Sequence, residues 1–230
     1  MNFHGLQKMT LLDYPGKVAC TLFTGGCNMR CPFCHNALLV TDLKNAEIIA
    51  EEEILHFLSK RVGVLDGVAV TGGEPLLMPD IIEVMKKIKA FGYSIKLDTN
   101  GTFPDRLQEI INLGLADYVA VDIKNSKEKY PETTGIVDFD ISGVERTVEI
   151  LKSGKVDYEF RTTVTREFHS VADIIEVAKW IEGADKYFLQ AFVDSGCLIG
   201  TDIHGVDKSE MEEMRKAAEN FVSRVEIRGL

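Results

Sequence analysis

Short β-branched runs alternate with longer segments of helical periodicity along most of the chain, and this alternation restricts the fold more than any other feature. Six runs predict strands, and they cover residues 18–23, 68–71, 94–98, 118–122, 158–164 and 186–191. Between them, apolar residues recur at the 3.6-residue spacing of amphipathic helices, as at Ile54, Leu55, Leu58 and Val62. The alternation predicts a parallel sheet with helices on its outer faces.

The number of strand–helix units indicates how far such a sheet can close. Six units are fewer than the eight of a complete barrel of about 250 residues. The 230 residues therefore predict an α/β fold with an incomplete, open (β/α)6 barrel. A doubly wound sheet is the alternative, and residues 225–227 are a candidate closing strand. Because no low-complexity tract or linker divides the sequence, we expect a single domain over residues 1–230.

Charge and hydropathy exclude several classes of function. With 36 acidic against 26 basic residues, the formal net charge is −10. A general nucleic-acid or anionic-membrane binder needs a positive surface, so neither class is expected. No apolar stretch approaches the ~20 residues of a membrane span, and the first residues lack a signal-peptide core. We therefore expect a cytoplasmic protein without direct nucleic-acid or membrane partners.

Three of the five cysteines, Cys27, Cys31 and Cys34, lie within eight positions directly after the first predicted strand. In a reducing compartment, clustered thiols bind metal or do redox work more often than they form a disulfide framework. Three thiolates on a [4Fe-4S] cluster leave one iron open to a substrate. The spacing favours this cluster over structural zinc with His35 as fourth ligand, because zinc sites usually draw two ligand pairs from separate segments. A Cys31–Cys34 redox pair is the third interpretation, and it leaves Cys27 without a role.

Polar residues follow the predicted strands at the point where each strand ends. Gly72 and Gly73 allow a ligand to approach the backbone, and Glu74 can meet a cationic group. The later strands carry similar groups at or near their ends, namely Asp98, Thr99, Asn100, Asp122, Lys124, Arg161, Thr163 and Gln190. Ligands of parallel α/β folds bind at the carboxyl ends of the strands, so these residues predict a binding site there.

The cysteine spacing, with the aromatic Phe33 before the last cysteine, resembles the signature of the radical S-adenosylmethionine (SAM) superfamily. Within that superfamily the chain resembles the activating enzymes of glycyl radical enzymes. The matching stretches are residues 13–16, 34–36, 98–101 and 122–124. Its overall likeness is greatest to the activating proteins of anaerobic ribonucleoside-triphosphate reductase, and it covers most of the chain.

This resemblance implies roles for the strand-end residues. Gly72, Gly73 and Glu74 would hold the methionine ammonium of SAM, while Phe33 and the His35 backbone would border the adenine. Asp98, Thr99 and Asp122 would lie near the methionine carboxylate, with a monovalent cation, and Lys124 would pair with the carboxylate. The remaining SAM-site residues in this prediction are Asn100, Arg161 and Gln190.

The resemblance also implies a reaction and its partners. A flavodoxin or ferredoxin-type donor would reduce the cluster, SAM would be cleaved, and a 5′-deoxyadenosyl radical would take a hydrogen from a glycine of the partner. Anaerobic ribonucleotide reductase is the expected partner. We expect Asp13 and the long polar segment of residues 125–140 to line the entrance for its loop.

Two other functions remain open from the sequence. One is a radical SAM enzyme acting on a small molecule, similar to a deazapurine synthase, and the other is a zinc-stabilised α/β binding module without catalysis. In the C-terminal third, His204 is a candidate for the SAM-binding histidine of pyruvate formate-lyase activases. Cys197 lies just after the sixth strand, near the predicted site.

Overall fold

A computed structural model describes residues 1–194 and 196–230. Its strands, in chain order, are β1 Asn2–Phe3, β2 Gly5–Thr10, β3 Ala19–Thr24, β4 Ile49–Ala50, β5 Gly67–Gly72, β6 Ser94–Thr99, β7 Tyr118–Asp122, β8 Asp157–Val164, β9 Tyr187–Ala191 and β10 Val225–Arg228. Its helices are α1 Ala37–Thr41, α2 Glu51–Ser59, α3 Ile81–Ala90, α4 Pro104–Asn112, α5 Tyr130–Thr134, α6 Ser142–Lys152, α7 Val171–Trp180 and α8 Lys208–Ala218.

The main sheet has eight strands in the order β10-β9-β8-β7-β6-β5-β3-β2. Strands β3 and β5 to β10 are parallel, and β2 is antiparallel to β3 at one edge. The order follows the chain without the reversal that a doubly wound sheet requires, so the doubly wound alternative is wrong. In the described part of the chain β2 and β10 remain the two edges, which confirms the open α/β barrel. The candidate closing strand is the edge strand β10.

The alternation of side chains along each strand separates an apolar outer face from a polar inner one. In β6, Ile95 and Leu97 are fully buried in the main hydrophobic cluster, which also contains Ile88 of α3 and Ile110 of α4. Lys96 and Asp98 alternate with them and therefore point to the opposite face of the sheet. The outer face thus carries the hydrophobic core, while the inner face is free to carry charged groups.

The structure departs from the sequence prediction at several places, since β1, β4 and α1 were not predicted and three further elements differ. Helix α2 ends at Ser59, so Val62 lies beyond it and is 55% exposed. Strand β2 was not predicted, because three of its six side chains are exposed and it lacks a clear apolar alternation. The polar segment of residues 125–140 is not a simple connection, since it contains α5, which has a proline in its first turn and Gly135 in the left-handed conformation after its end.

Among the described residues, no helix is both long enough and apolar enough to cross a membrane.

Candidate functional site

Cys27, Cys31 and Cys34 line one cavity at the carboxyl edge of the sheet. The cavity has a volume of about 150 Å³ and is partly open to solvent. The strand-end residues that share its wall with the thiols are Thr71, Gly72, Gly73, Asp98, Thr99, Asn100, Asp122, Lys124 and Thr163. Phe33, His35 and Asn36 line it from the cysteine loop. The structure therefore brings together most of the residues that the sequence predicted.

The cysteine loop is anchored to the end of α5 by Arg30. The Arg30 backbone N–H donates to the Thr134 carbonyl at 2.8 Å, and its guanidinium Nη1 donates to the carbonyls of Cys27 and Met29, each at 2.7 Å. Gly135 follows α5 at φ +69°, and a Cβ atom there would lie 2.6 Å from the Arg30 carbonyl oxygen. The segment of residues 125–140 thus supports the loop that carries the thiols.

Burial raises the pKa values of all three thiols, and that of Cys31 reaches about 12. The thiols are consequently protonated at neutral pH until a metal's positive charge displaces their protons. Among the described residues, no three His, Cys, Asp or Glu side chains are placed to hold a single metal ion. Three thiols that each bind a different iron of one cluster need not converge on a point. The donor set of three sulfurs on one wall therefore fits a [4Fe-4S] cluster with one open iron.

The imidazole of His35 is engaged away from the thiols. Its Nε2 atom lies 2.7 Å from the Val193 carbonyl oxygen, and its ring stacks on Phe192 with 5.2 Å between centroids. This arrangement does not support the zinc interpretation, which needs His35 as the fourth ligand.

Gly72 and Gly73 are required by a close approach of two backbones. Gly72 has φ +119°, and a Cβ there would lie 2.3 Å from the Thr24 carbonyl oxygen. A Cβ at Gly73 would lie 1.9 Å from the Gly26 carbonyl oxygen, and the Gly73 N–H donates to the Thr24 carbonyl at 2.9 Å. The end of β5 therefore packs directly against the start of the cysteine loop, and only glycine fits there.

The carboxylate of Glu74 accepts its hydrogen bonds from within the protein, and its contact with a cationic group stays a prediction. The residue is fully buried, and its Oε1 atom accepts from the Leu76 N–H at 2.9 Å and from the Thr99 hydroxyl at 2.8 Å. Its Oε2 atom accepts from the Asn100 N–H at 2.7 Å. Burial raises the pKa of Glu74 to about 7, although the three hydrogen bonds oppose this shift. Glu74 thus joins the end of β5 to the end of β6, and the cavity wall is formed by the glycines instead.

Five charged side chains form a network on the inner face beside the cavity. Arg161 donates from Nε to Asp122 at 2.9 Å and from Nη1 to Asp98 at 3.1 Å. Lys124 bonds to the other oxygen of Asp122 at 3.1 Å, and Lys96 bonds to the other oxygen of Asp98. Burial alone would raise the carboxyl pKa values, but Arg161 and the neighbouring lysines hold the pKa values of Asp98 and Asp122 below the ordinary range. Every carboxylate oxygen has a basic partner, so these residues do not fit the monovalent cation that the resemblance implies.

Several predicted residues lie away from the cavity wall. Asp13 is in the connection between β2 and β3, where it accepts a 2.5 Å hydrogen bond from the Thr21 hydroxyl in the middle of β3. Gln190 and Arg161 are on the inner face of the sheet, but neither lines the cavity. His204 is exposed and pairs with Glu167 at 2.8 Å. The role of Asp13 at the entrance for a partner loop therefore remains a prediction.

Two residues that the sequence interpretation did not assign take part in the site. Lys96 is buried beneath the cavity, and its only signal in the sequence is its position two residues before Asp98, on the same face of the strand. His169 is also buried, and its Nε2 atom lies 2.8 Å from the Lys124 carbonyl oxygen. No spacing pattern in the sequence connects His169 with residue 124.

An open, mostly parallel α/β barrel with three cysteines in the loop after its first parallel strand defines a class of iron–sulfur enzymes. The chain belongs to the radical SAM superfamily, whose sequence model matches residues 21–181. The resemblance read from the cysteine spacing is confirmed. Membership implies a [4Fe-4S] cluster and SAM as cofactors.

Three relatives show where the chain lies within this superfamily. A Methanocaldococcus jannaschii protein named as a candidate glycyl-radical enzyme activating enzyme is 31% identical over 97% of this chain and 94% of that protein. The pyruvate formate-lyase-activating enzyme of Clostridium pasteurianum is 33% identical over 53% of this chain and 52% of its own length. A candidate GTP 3′,8-cyclase of Thermococcus kodakarensis is 32% identical over 58% of this chain and 44% of its own length. The chain therefore matches about half the length of these last two relatives.

A solved structure supports the fold. The crystal structure of Streptococcus suis SuiB superposes with a TM-score of 0.70 over 91% of this chain and 48% of that one, at 13% identity. At this identity the likeness establishes the fold alone.

Proposed function

We propose that the chain is the activating enzyme of a glycyl radical enzyme, with anaerobic ribonucleotide reductase as the partner. The observation that carries the proposal is the match to the Methanocaldococcus jannaschii relative, which spans 97% of this chain and 94% of that protein. A flavodoxin or ferredoxin-type protein is the proposed source of the single electron that each turnover consumes.

Cys27, Cys31 and Cys34 would hold the [4Fe-4S] cluster. When bound, the cluster supplies the electron that cleaves SAM to methionine and a 5′-deoxyadenosyl radical, which then removes a Cα hydrogen from a glycine of the partner. The thiols lose their protons on binding iron, and the anchored loop fixes their positions. Their largely buried setting also limits the access of water to the cavity.

The strand-end residues would bind and orient SAM. The backbone of Gly72 and Gly73 lies open to the cavity and would receive the methionine ammonium. Lys124 carries its positive charge on the same wall and would pair with the methionine carboxylate. Thr99 and Asn100 line the cavity beside them, and Phe33 would border the adenine. Four further residues on the inner face of the sheet would surround these contacts, namely Asp98, Asp122, Arg161 and Gln190.

A polypeptide substrate needs a path to the cavity, and the open barrel is compatible with one. The sheet does not close between β2 and β10 in the described chain, and Asp13 lies in the connection that follows β2. A partner loop approaching along this open side would pass Asp13 before it reached the thiols. The segment of residues 125–140, which contacts the cysteine loop at Arg30, would border the partner loop.

The test is anaerobic reconstitution with iron and sulfide, followed by reduction and an assay for 5′-deoxyadenosine. Adding a candidate reductase should then yield an organic glycyl radical signal in electron paramagnetic resonance. Absence of 5′-deoxyadenosine from a fully loaded protein would overturn the enzyme proposal. SAM cleavage without a glycyl radical would overturn the proposed partner alone.

The second candidate is a radical SAM enzyme that acts on a small nucleotide, as the matches to candidate GTP 3′,8-cyclases favour. The Thermococcus kodakarensis relative is 32% identical over 137 residues, but the match leaves more than half of that protein unaligned. Measuring 5′-deoxyadenosine with and without GTP separates the two functions. A GTP-dependent increase with a modified nucleotide product would favour the second candidate.

A further inference from the structure

We propose that the Arg161 guanidinium acts as a built-in cation between Asp98 and Asp122, so that SAM binds this cavity without a monovalent metal ion. The resemblance to activating enzymes implies such an ion beside the same carboxylates. The proposal rests on the proposed function only for the identity of the ligand.

Arg161 reaches both carboxylates from the neighbouring strand. Asp122 of β7 and Arg161 of β8 are register partners, and Asp98 is one strand further along the sheet on β6. The guanidinium lies 2.9 Å from Asp122 Oδ1 through Nε and 3.1 Å from Asp98 Oδ2 through Nη1. One planar group thus bridges the two carboxylates, as a metal ion with oxygen ligands would have to do.

The other two carboxylate oxygens have ammonium partners. Lys96 Nζ pairs with Asp98 Oδ1, and Lys124 Nζ lies 3.1 Å from Asp122 Oδ2. The network therefore holds three positive side chains against two negative ones. A metal ion entering it would displace one of these donors and place further positive charge beside three cationic side chains.

The bridging group is fixed in place by burial. The side chain of Arg161 is 11% exposed and that of Lys96 is 2% exposed. Burial opposes the charge on Arg161, but the adjacent carboxylates outweigh it and hold the pKa of the guanidinium above its ordinary value. The side chain therefore keeps its charge under all ordinary conditions, and an ion from solvent cannot take its place.

Removal of the guanidinium would create the missing ion site. In an Arg161→Gln variant, Asp98 Oδ2 and Asp122 Oδ1 lose their shared donor, and the new amide offers an oxygen nearby. Oxygen donors of this kind suit a hard cation. The variant is therefore expected to depend on Na⁺ or K⁺ where the natural protein does not.

The experiment compares KCl, NaCl and tetramethylammonium chloride at equal ionic strength. Two quantities are measured for each salt: the thermal midpoint of unfolding, and the Kd for SAM of the cluster-loaded, unreduced protein by equilibrium dialysis. For the natural protein both should be the same in all three salts. For Arg161→Gln, the midpoint should rise and SAM should bind more tightly in KCl or NaCl, because ion binding stabilises the folded state.

Arg161→Lys keeps a charge at this position and should remain independent of the salt. Arg146→Gln removes an exposed guanidinium that pairs with Asp105 and serves as the matched control, again without salt dependence. A Kd for the natural protein that is at least about fivefold lower in KCl than in tetramethylammonium chloride would overturn the proposal, since coupling between bound ligands is of that size. An Arg161→Gln variant that folds but has the same unfolding midpoint and the same Kd for SAM in all three salts would overturn it as well.

The measurements of the unfolding midpoint separate this proposal from the proposed function. If SAM fails to bind in every salt, the assignment of SAM as ligand is wrong, and the unfolding midpoints still decide the role of Arg161. Should Arg161→Gln fail to fold, the natural protein and Arg161→Lys still decide it, because a midpoint raised by K⁺ in either would contradict the proposal.

Discussion

The Nε2 atom of His169 donates a hydrogen bond to the Lys124 carbonyl oxygen at 2.8 Å. The tautomer follows from the other ring nitrogen, because Nδ1 accepts from the Thr165 N–H at 3.2 Å. The ring also meets Phe33 edge-on, with 6.1 Å between centroids. His169 therefore joins the backbone that presents Lys124 to the aromatic residue between two of the cysteines.

We expect His169→Phe to weaken SAM binding, because it removes the donor that holds the Lys124 backbone while keeping an aromatic ring against Phe33. A buried acceptor without its donor costs about 1–3 kcal/mol, so part of this effect should also appear as a lower unfolding midpoint. His169→Gln keeps a donor amide and should restore part of the SAM affinity at an unchanged iron content. Equal SAM affinity in all three proteins would contradict this positioning role.

The same histidine predicts a pH dependence of stability. Burial lowers the pKa of His169, so the unfolded chain binds a proton more readily than the folded protein does. The contribution of this residue to stability is therefore lost as the pH falls below about 6.5, the ordinary pKa of histidine. Urea unfolding between about pH 5.5 and about pH 7.5, about one unit on either side of that value, should show a smaller loss of stability on acidification for His169→Gln than for the natural protein.

How much of this site could be predicted depends on the kind of signal each residue leaves in the sequence. Asp98, Thr99 and Asp122 follow apolar runs, and the geometry of a parallel sheet brings such residues to one edge without further information. The direction of the Glu74 carboxylate could not be predicted, because it depends on donors from Thr99 and Asn100, which are about 25 positions away in the sequence.

The same distinction applies to the fold. Six of the seven parallel strands were predicted within a few residues, because their apolar runs are buried against helices on the outer face. Strand β2 pairs with the sheet on one side only and leaves Gln7, Lys8 and Met9 exposed, so it carries no comparable pattern. The burial of Lys96 depends on Asp98 and on its place in the sheet, which no local pattern specifies.

Glu74→Gln should destabilise the protein by about 1–3 kcal/mol, because one buried acceptor is replaced by an amide that faces a donor. The pKa of the natural carboxyl is raised to about 7 by burial, so its stabilising contribution is lost as the pH rises from the unfolded value of about 4.3 through 7. The variant should lack this part of the pH dependence in urea unfolding. Glu83→Gln, at an exposed pair with Lys86, is the control and should change stability little.

Gly73→Ala should prevent the cysteine loop from taking its place beside β5. The added Cβ would lie 1.9 Å from the Gly26 carbonyl oxygen, and the two backbones must separate to admit it. We expect a lower iron content after reconstitution, together with a lower unfolding midpoint. Gly92→Ala is a suitable comparison, because Gly92 has φ +89° but open space around it, so it reports backbone strain without a clash. Normal iron loading by Gly73→Ala would show that the close approach is not needed.

Single substitutions of Cys27, Cys31 or Cys34 by Ala should each abolish the visible absorbance of the reconstituted cluster and the cleavage of SAM. Each thiol lines the same cavity, and a cluster held by two thiolates has lost one of its three anchors. Cys197→Ala is the matched control, because that residue is exposed and does not line the cavity, so iron content and cleavage should be retained. Iron and sulfide analysis, absorbance and 5′-deoxyadenosine are measured together for all four variants. A Cys31→Ala variant that keeps the full iron content would contradict the ligand assignment, since Cys31 is the most deeply buried of the three thiols.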